Sequence, residues 1–400
     1  MHYRRFGRTD LEMPVFSCGG MRYQHQWQDL PLSQIPVDNQ KNLETTIRRA
    51  WDLGITHIET ARGYGSSERQ LGLILPALDR DKLIVQTKIA PQEDPKQFVR
   101  DFEESLERLR LDHVDLLGLH GINTDQLLDH SVRPGGCLEA ARRLQAEGRV
   151  RWVGFSTHGP TDLIVRAIEA DGPDGRGFDY VNLHWYYIFQ SNWPAVEAAT
   201  RRNMGVFIIS PSDKGGMLYQ PPQKLIELCD PLHPLVFNCL FCLNRPEVHT
   251  LSLGASGPKD FDLQLEALPL LDEAQKHLDP IERRLEAAME EAVGREWARR
   301  FDLGLPDWDR TPGQINLKVI LWLDNLARAW GMNDYAKMRY NLLGNGGHWF
   351  PGLNGADAGQ INWAETLAES PFAEQIPARI QEAHRRFHEK PKKRLSEGDE

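Results

Sequence analysis

The sequence predicts a protein of the α/β class: a parallel (β/α)8 TIM barrel with an N-terminal β-hairpin and a C-terminal helical region. Short apolar runs alternate with longer amphipathic runs eight times before about residue 270. Alternation at this spacing indicates parallel βαβ units, and eight such units are the number that closes a barrel. The chain has 400 residues, which is enough for the barrel and a further region.

The eight predicted barrel strands are apolar runs that end on polar residues. They are VFSCGGM, THIETA, LIVQTKI, HVDLLGLHG, RWVGFSTHG, YVNLHWYY, GVFIISPS and HTLSLGAS. Ahead of them, HYRRFGRTDLEMPVF predicts two short strands that form a hairpin around residues 7–10. Helical spacing follows the strands, and KDFDLQLEALPLL is the last helix candidate of the barrel.

The pattern changes after residue 271. Residues 272–388 are charged, helix-periodic and rich in tryptophan, so we predict a helical region that packs through its aromatic side chains. Residues 389–400 include the run KPKKRLSEGDE and are predicted to be a disordered tail. The expected domains are therefore 1–271, 272–388 and 389–400.

Composition excludes several classes of protein. The net charge is −10, from 47 basic and 57 acidic residues. No basic stripe interrupts it, which argues against a nucleic-acid partner. The N-terminus lacks an apolar signal core, and no apolar run is long enough to span a membrane. Five cysteines do not make a disulfide framework, so a reducing cytoplasm is the expected location.

Polar side chains at the ends of the predicted strands are the candidate functional residues. They are Glu59, Lys88, His120, Ser156, Thr157, His158, Asn182, Ser210 and Ser256. The carboxyl ends of barrel strands share one mouth, where active sites of this fold lie. Strand ends are also where solvent begins and polar residues become tolerable. A lysine or glutamate in a buried strand normally needs a partner, which favours the functional interpretation.

Four motifs resemble the aldo-keto reductase family. They are IETARGYGSSERQLG, QTKIAP, LLGLHG and RWVGFSTHG, in the family's order along residues 1 to about 270. The resemblance implies an NAD(P)H-dependent oxidoreductase that reduces a carbonyl by hydride transfer. It assigns Tyr64 as the proton donor, with Lys88, His120 and Glu59 around it.

The chemistry of carbonyl reduction agrees with that assignment. Hydride addition leaves an alkoxide that must be protonated as it forms. A tyrosine is a reluctant acid near neutral pH, and a neighbouring ammonium lowers its pKa. Each residue also has a structural alternative: Tyr64 as a loop residue, His120 as a core histidine, and Lys88 with Glu59 as a barrel ion pair. The family normally has Asp where this chain has Glu59, so we expect slower catalysis from the longer side chain.

The resemblance also implies a cofactor site. Ser156, Thr157 and Asn182 correspond to the residues that hold the nicotinamide. SPSDKGG, with Ser210 and Lys214, resembles a phosphate-binding loop. LGASGPKDF, with Gly254, Ser256 and Lys259, lies where the family binds the adenosine phosphate. NADPH is the expected cofactor, with NADH left possible, and the tyrosine that often stacks on the nicotinamide is missing from the seventh strand.

The expected substrate is a small molecule that carries a carbonyl group. The predicted pocket residues are Met21, Arg22, Trp185, Tyr186 and Tyr187. Arg22, with Arg62, indicates an acidic or phosphorylated substrate, although solvated surface charge explains both arginines almost as well.

The tail resembles a subfamily with an iron–sulfur, ferredoxin-like region after the barrel. This chain has no cysteine after Cys242, and such clusters need thiolate ligands. We therefore expect a degenerate region without a cluster, which leaves open a role in docking a protein partner. Cys239 and Cys242 are interpreted as buried apolar residues. The alternative function is a nicotinamide-binding sensor or assembly subunit with vestigial catalysis.

Overall fold

The computed structural model describes residues 1–344 and 349–390. The described residues form two compact units. The first unit comprises Met1–Gly215 and Asn238–Ala274, and the second comprises Gly216–Phe237 and the described residues from Gln275 onward. The domain boundary after residue 271 remains a prediction. Most of the tail predicted to be disordered, residues 391–400, lies outside the described residues.

The first unit contains the predicted barrel. Its ten strands are β1 (Tyr3–Arg5), β2 (Glu12–Pro14), β3 (Phe16–Gly19), β4 (His57–Glu59), β5 (Ile84–Ile89), β6 (Val114–His120), β7 (Val150–Ser156), β8 (Tyr180–Leu183), β9 (Gly205–Ile208) and β10 (Thr250–Leu253). Strands β3 to β10 pair in parallel in chain order, and β10 pairs with β3 to close the barrel. All eight predicted strands are confirmed.

The helices surround the barrel in the first unit and make up most of the second. They are α1 (Val37–Asp52), α2 (Ser67–Leu71), α3 (Pro95–Leu109), α4 (Asp125–Val132), α5 (Cys137–Ala146), α6 (Thr161–Glu169), α7 (Trp193–Arg201), α8 (Gln223–Cys229), α9 (Pro234–Leu243), α10 (Asp262–Leu265), α11 (Ala274–Val293), α12 (Arg295–Arg300), α13 (Leu317–Trp330), α14 (Asn333–Tyr340) and α15 (Ile376–Phe387).

One predicted helix is shorter than expected. The run KDFDLQLEALPLL contains only α10, with 3₁₀ turns at Pro258–Phe261 and Leu268–Glu273 on either side. Pro269 has no backbone N–H to donate, and its ring clashes with the preceding turn of an α-helix. The apolar spacing alone could not reveal this break.

The N-terminal hairpin closes the bottom of the barrel. Strands β1 and β2 pair antiparallel, as the sequence predicted. Between them, Phe6 is fully buried, and its ring packs against Tyr180 at 5.8 Å and edge-on to His249 at 5.7 Å. A Cβ on Gly205 would lie only 2.6 Å from the Phe6 ring, so Phe6 fills the space that this glycine leaves. The barrel therefore has an apolar floor.

The regular secondary structure in the described residues of the second unit is helical, apart from one bridge between Ile315 and Leu353. As the tryptophan content predicted, aromatic side chains carry much of its packing. The indole of Trp297 donates to Asn325 at 2.8 Å and lies under the Arg379 guanidinium at 3.9 Å from the ring centroid. Asp324 is buried and accepts a hydrogen bond from Arg328 at 2.7 Å.

The five cysteines are free and buried. Cys239 and Cys242 lie one turn apart in α9, and burial raises the pKa of the Cys239 thiol to about 12. Both thiols therefore stay protonated and uncharged at neutral pH, which agrees with their interpretation as buried apolar residues. Among the described residues, no single helix has the length and apolarity to cross a membrane; α8 and α9 meet that test only as a bent pair.

Removal of the Phe6 ring should destabilise the first unit. Phe6→Ala would leave a cavity in the barrel floor, which typically costs about 3–5 kcal/mol of the free energy of unfolding. Urea denaturation measures this loss. Val37→Ala is the control, because Val37 is 81% exposed and its truncation should change the free energy by less than about 0.5 kcal/mol. A loss for Phe6→Ala as small as that of the control would show that the floor contributes nothing.

Candidate active site

Polar side chains from five neighbouring strands meet at the carboxyl end of the barrel. Glu59, Lys88, His120, Ser156 and Asn182 lie at or near the ends of β4 to β8. The strand register places His120 beside Ser156 and Ser156 beside Asn182. Because parallel strands of a closed barrel share one rim, the fold brings these distant segments of the chain together.

A buried ion pair lies at the centre of this rim. The Lys88 ammonium donates a hydrogen bond to the Glu59 carboxylate and a second one, of 2.6 Å, to the carbonyl oxygen of Thr60. Glu59 is 4% exposed and Lys88 is 2% exposed. The glutamate therefore reaches the lysine directly, and the ion pair survives the longer side chain.

Tyr64 lies in the loop after β4, beside this pair. The Lys88 ammonium is 4.7 Å from the centroid of the Tyr64 ring, and the His120 ring meets it edge-on at 5.6 Å. Trp27 covers another side of the phenol at 6.0 Å. Gly65, at φ +50°, allows this packing, because a Cβ there would lie 2.7 Å from the Trp27 Cα.

Burial controls the protonation of these groups. It raises the pKa of Tyr64 and lowers the pKa of Lys88. Burial, with the nearby Lys88 charge, also lowers the pKa of His120 to about 3. The sequence led us to expect a lowered Tyr64 pKa from the neighbouring ammonium. The structure has the opposite direction, because desolvation of the phenolate dominates.

The residues predicted to bind the nicotinamide differ in how many hydrogen bonds their side chains already form. Asn182 is fully buried, and neither its amide nitrogen nor its amide oxygen has a hydrogen-bond partner among the described residues. Ser156 Oγ accepts one bond, from the Gly121 N–H at 3.1 Å. The Thr157 hydroxyl instead donates to the Ile122 carbonyl and accepts from Gly159 N–H. Asn182 thus has free donor and acceptor atoms, whereas Thr157 holds its own loop together.

Lys214 belongs to a polar cluster that the sequence did not predict. Its ammonium lies 3.2 Å from both His158 Nδ1 and His184 Nε2. The other His184 nitrogen contacts the Tyr186 hydroxyl, which donates to the Ile209 carbonyl at 2.5 Å. His184 was missed, although it follows directly after β8 and lies two residues after Asn182.

The loop with the other phosphate-binding candidates contains an acidic side chain. Asp260 accepts from the Ser256 N–H at 2.7 Å, from the Ser256 hydroxyl at 3.0 Å and from the Gly257 N–H at 3.3 Å. Lys259 is exposed next to it. Arg22 donates to the Gly254 carbonyl at 2.9 Å. Ser210, after β9, adopts the left-handed conformation at φ +55°.

The predicted substrate-pocket residues fall into two groups. Met21 and Arg22, in the loop after β3, have accessible surface. Trp185 and Tyr186 are buried; the Trp185 ring stacks on Phe241 at 4.9 Å, and Tyr187 meets the same ring edge-on at 5.2 Å. Their pocket role remains a prediction. The described residues include no group of three or more His, Cys, Asp or Glu side chains that could hold a metal.

Comparisons with known proteins identify similar sequences. The model of the aldo/keto reductase family matches residues 16–212. L-galactose dehydrogenase of Arabidopsis thaliana is 34% identical over 235 residues, which are 55% of this chain and 68% of that enzyme. L-glyceraldehyde 3-phosphate reductase of Escherichia coli K12 is 27% identical over 176 residues, which are 40% of this chain and only 46% of that enzyme.

Solved structures agree on the fold. An aldo-keto reductase from Bacillus halodurans matches 70% of this chain and 96% of its own, with a TM-score of 0.57 at 19% identity. A thermostable aldo-keto reductase solved with the inhibitor epalrestat matches 70% of this chain and its own whole length, with a TM-score of 0.57 at 21% identity. The sequence match to L-galactose dehydrogenase, together with the family-model match, shows that the chain belongs to the aldo/keto reductase family.

Proposed function

We propose that this protein is an NAD(P)H-dependent oxidoreductase that reduces a small carbonyl compound to an alcohol, with Tyr64 as the proton donor. The family consists of oxidoreductases that use nicotinamide cofactors on small carbonyl substrates. The observation that supports the assignment to Tyr64 is its position between the Lys88 ammonium, 4.7 Å from the ring centroid, and the His120 ring at 5.6 Å.

The protonation states of the site suit a proton donor. The raised pKa keeps Tyr64 protonated at neutral pH, so its hydroxyl proton is available when the carbonyl oxygen gains negative charge. The lowered pKa keeps His120 neutral, so its ring can position the carbonyl oxygen by hydrogen bonding without adding a second positive charge. Lys88 would then stabilise the phenolate that Tyr64 becomes, which compensates for its burial.

The cofactor site is supported by Asn182. Its unpaired amide atoms present one donor and one acceptor side, which is what a carboxamide needs from its partner. A bound nicotinamide cofactor would supply the hydride for the carbonyl carbon. Ser156 offers its hydroxyl at the next strand end, so Asn182 and Ser156 are the proposed nicotinamide contacts.

We propose NADPH as the preferred cofactor because Lys259 is an exposed cation beside the loop that corresponds to the family's adenosine phosphate site. Asp260 opposes this preference because its negative charge would repel a phosphate. Its carboxylate also already accepts hydrogen bonds from Ser256 and Gly257. Lys214 would contribute less to phosphate binding than the sequence implied, because its ammonium contacts two histidines.

Replacement of Tyr64 tests the proton donor. Tyr64→Phe should lower turnover of aldehydes by at least about 10²-fold, the usual contribution of a general acid, while cofactor affinity by fluorescence stays the same. Tyr3→Phe is the matched control, because Tyr3 is 47% exposed. Wild-type turnover in Tyr64→Phe would remove Tyr64 from the mechanism. Cofactor binding without any turnover in the wild-type protein would support the sensor alternative instead.

Replacement of Glu59 tests the ion pair. Glu59→Asp should lower the single-turnover reduction rate. The shorter side chain would withdraw the carboxylate by about one ångström from its direct contact with the Lys88 ammonium. A loss of 1 to 3 kcal/mol in transition-state stabilisation would slow the step roughly tenfold to a hundredfold. Glu12→Asp, at an exposed position, should have no effect. A faster Glu59→Asp enzyme would mean that the native glutamate impairs catalysis.

Two neighbouring substitutions test the cofactor preference. Lys259→Ala should weaken NADPH binding and leave NADH binding unchanged, because only NADPH carries the additional phosphate. Asp260→Asn should strengthen NADPH binding relative to NADH by removing a negative charge. Titrations of both cofactors by fluorescence give the ratio of dissociation constants, and an unchanged ratio in both variants would place the adenosine end elsewhere.

A further inference from the structure

Tyr180 separates two different environments inside the barrel. It begins β8 and is fully buried. On one side its ring packs against Phe6 at 5.8 Å, within an apolar cluster that includes Leu116 and Phe207. On that side the Tyr180 ring contacts apolar residues, whereas its hydroxyl end lies toward the Lys88 side chain.

Two glycines give the Tyr180 ring its place beside Lys88. A Cβ on Gly154 would lie 2.5 Å from the Tyr180 ring. A Cβ on Gly118 would lie 3.0 Å from Lys88 Cγ and 3.3 Å from the Tyr180 hydroxyl oxygen. The aliphatic part of Lys88 and the end of the Tyr180 ring thus meet over the bare backbone of Gly118.

Buried hydrogen-bonding groups without a partner lie in the same interior. Both amide atoms of Gln86 lack a hydrogen-bond partner within the described part of the chain, and so does the Nε2 atom of His57. Both residues are fully buried. Burial, with the Lys88 charge, lowers the pKa of His57 to about 3. Gln86, which pairs with Glu59 in the strand register, lies close enough to act on the pKa values of both His57 and Tyr180 as a hydrogen-bonding neighbour, although none of these contacts has the geometry of a full hydrogen bond.

These groups offer Lys88 a second set of partners. A buried ammonium is stable wherever carboxylate, carbonyl or imidazole acceptors surround it. Gln86 lies two residues before Lys88 in β5, on the same face of the strand. A Lys88 side chain turned into the barrel would therefore approach the Gln86 amide and the nearby His57 ring, at the expense of its contacts with Glu59 and Thr60. Some group must prevent this turn if the ammonium is to remain beside Tyr64.

We propose that Tyr180 is a positioning residue: its ring blocks the interior of the barrel and holds Lys88 toward Glu59 and Tyr64. The inference rests on the proposed function, because it concerns the presentation of Lys88 to the proposed proton donor. The Tyr180 hydroxyl is not needed for it. Gln86 lies near enough to influence the Tyr180 pKa, but the Tyr180 oxygen makes no hydrogen bond of normal geometry to a described residue, so the bulk of the ring is what acts.

Two substitutions at this position separate bulk from hydrogen bonding. Tyr180→Leu removes the ring and should slow single-turnover carbonyl reduction by about tenfold or more, with cofactor affinity unchanged and the pH profile of the rate shifted. Tyr180→Phe keeps the ring and should react as the wild type does. Equal impairment in both variants, or a wild-type rate and profile in Tyr180→Leu, would overturn the proposal.

The competing acceptor provides a rescue. In Tyr180→Leu, the additional change Gln86→Leu removes one of the interior partners and should restore part of the lost rate. A merely structural defect would not be repaired in this way, so a double variant no faster than Tyr180→Leu would contradict the proposal. If Tyr180→Leu does not fold, Gly118→Ala is the second variant. Its methyl group would press on both Lys88 and Tyr180, and it should lower the rate without loss of cofactor binding; an unchanged rate would contradict the proposal.

Crystal structures of the variants provide a readout that does not depend on activity. Lys88 should face Glu59 in Tyr180→Phe and turn toward Gln86 in Tyr180→Leu. An unmoved Lys88 in Tyr180→Leu would overturn the inference even if the enzyme is a reductase. A turned Lys88 in a protein whose wild type reduces no carbonyl would support the positioning role and reject the proposed function.

Discussion

An ammonium group buried at the rim of a barrel is stable only if nearby oxygen atoms accept its protons. Transfer of an unpaired charge from water into a protein interior costs several kcal/mol even after relaxation. Glu59 and the Thr60 carbonyl meet this requirement for Lys88. The direction of the ammonium fixes its distance from the Tyr64 ring, and its charge helps to keep His120 neutral. The surroundings of Tyr64 and the neutrality of His120 therefore depend in part on this pair.

The interior of the barrel is arranged to support that pair. At the bottom, the hairpin inserts Phe6 into an apolar cluster. At the top, parallel strands present polar side chains to one mouth. Tyr180 lies at the boundary, and Gly118 leaves space where the Lys88 side chain and the Tyr180 ring approach each other. The Lys88 side chain therefore packs beside the Tyr180 ring at the boundary between the apolar floor and the polar rim.

The polar groups around the mouth are not equally available for a ligand. The side chains of Thr157 and Asp260 already form hydrogen bonds with backbone groups of neighbouring loop residues. The Lys214 ammonium contacts two histidines. Asn182 is different because both of its amide atoms lack partners within the described residues. Buried polar groups are normally paired, which supports the proposal that a cofactor group binds at this amide.

The sequence determined the eight strands, their order, the hairpin and the rim position of Glu59, Lys88, His120, Ser156 and Asn182, because apolar periodicity and strand-end polarity are local properties. Tertiary structure decided what those side chains contact. The direct Glu59–Lys88 bond, the raised Tyr64 pKa and the cluster of His184 with Lys214 all depend on burial and on segments far apart in the chain. Desolvation and close packing arise only when the barrel closes, so no local pattern could have revealed them.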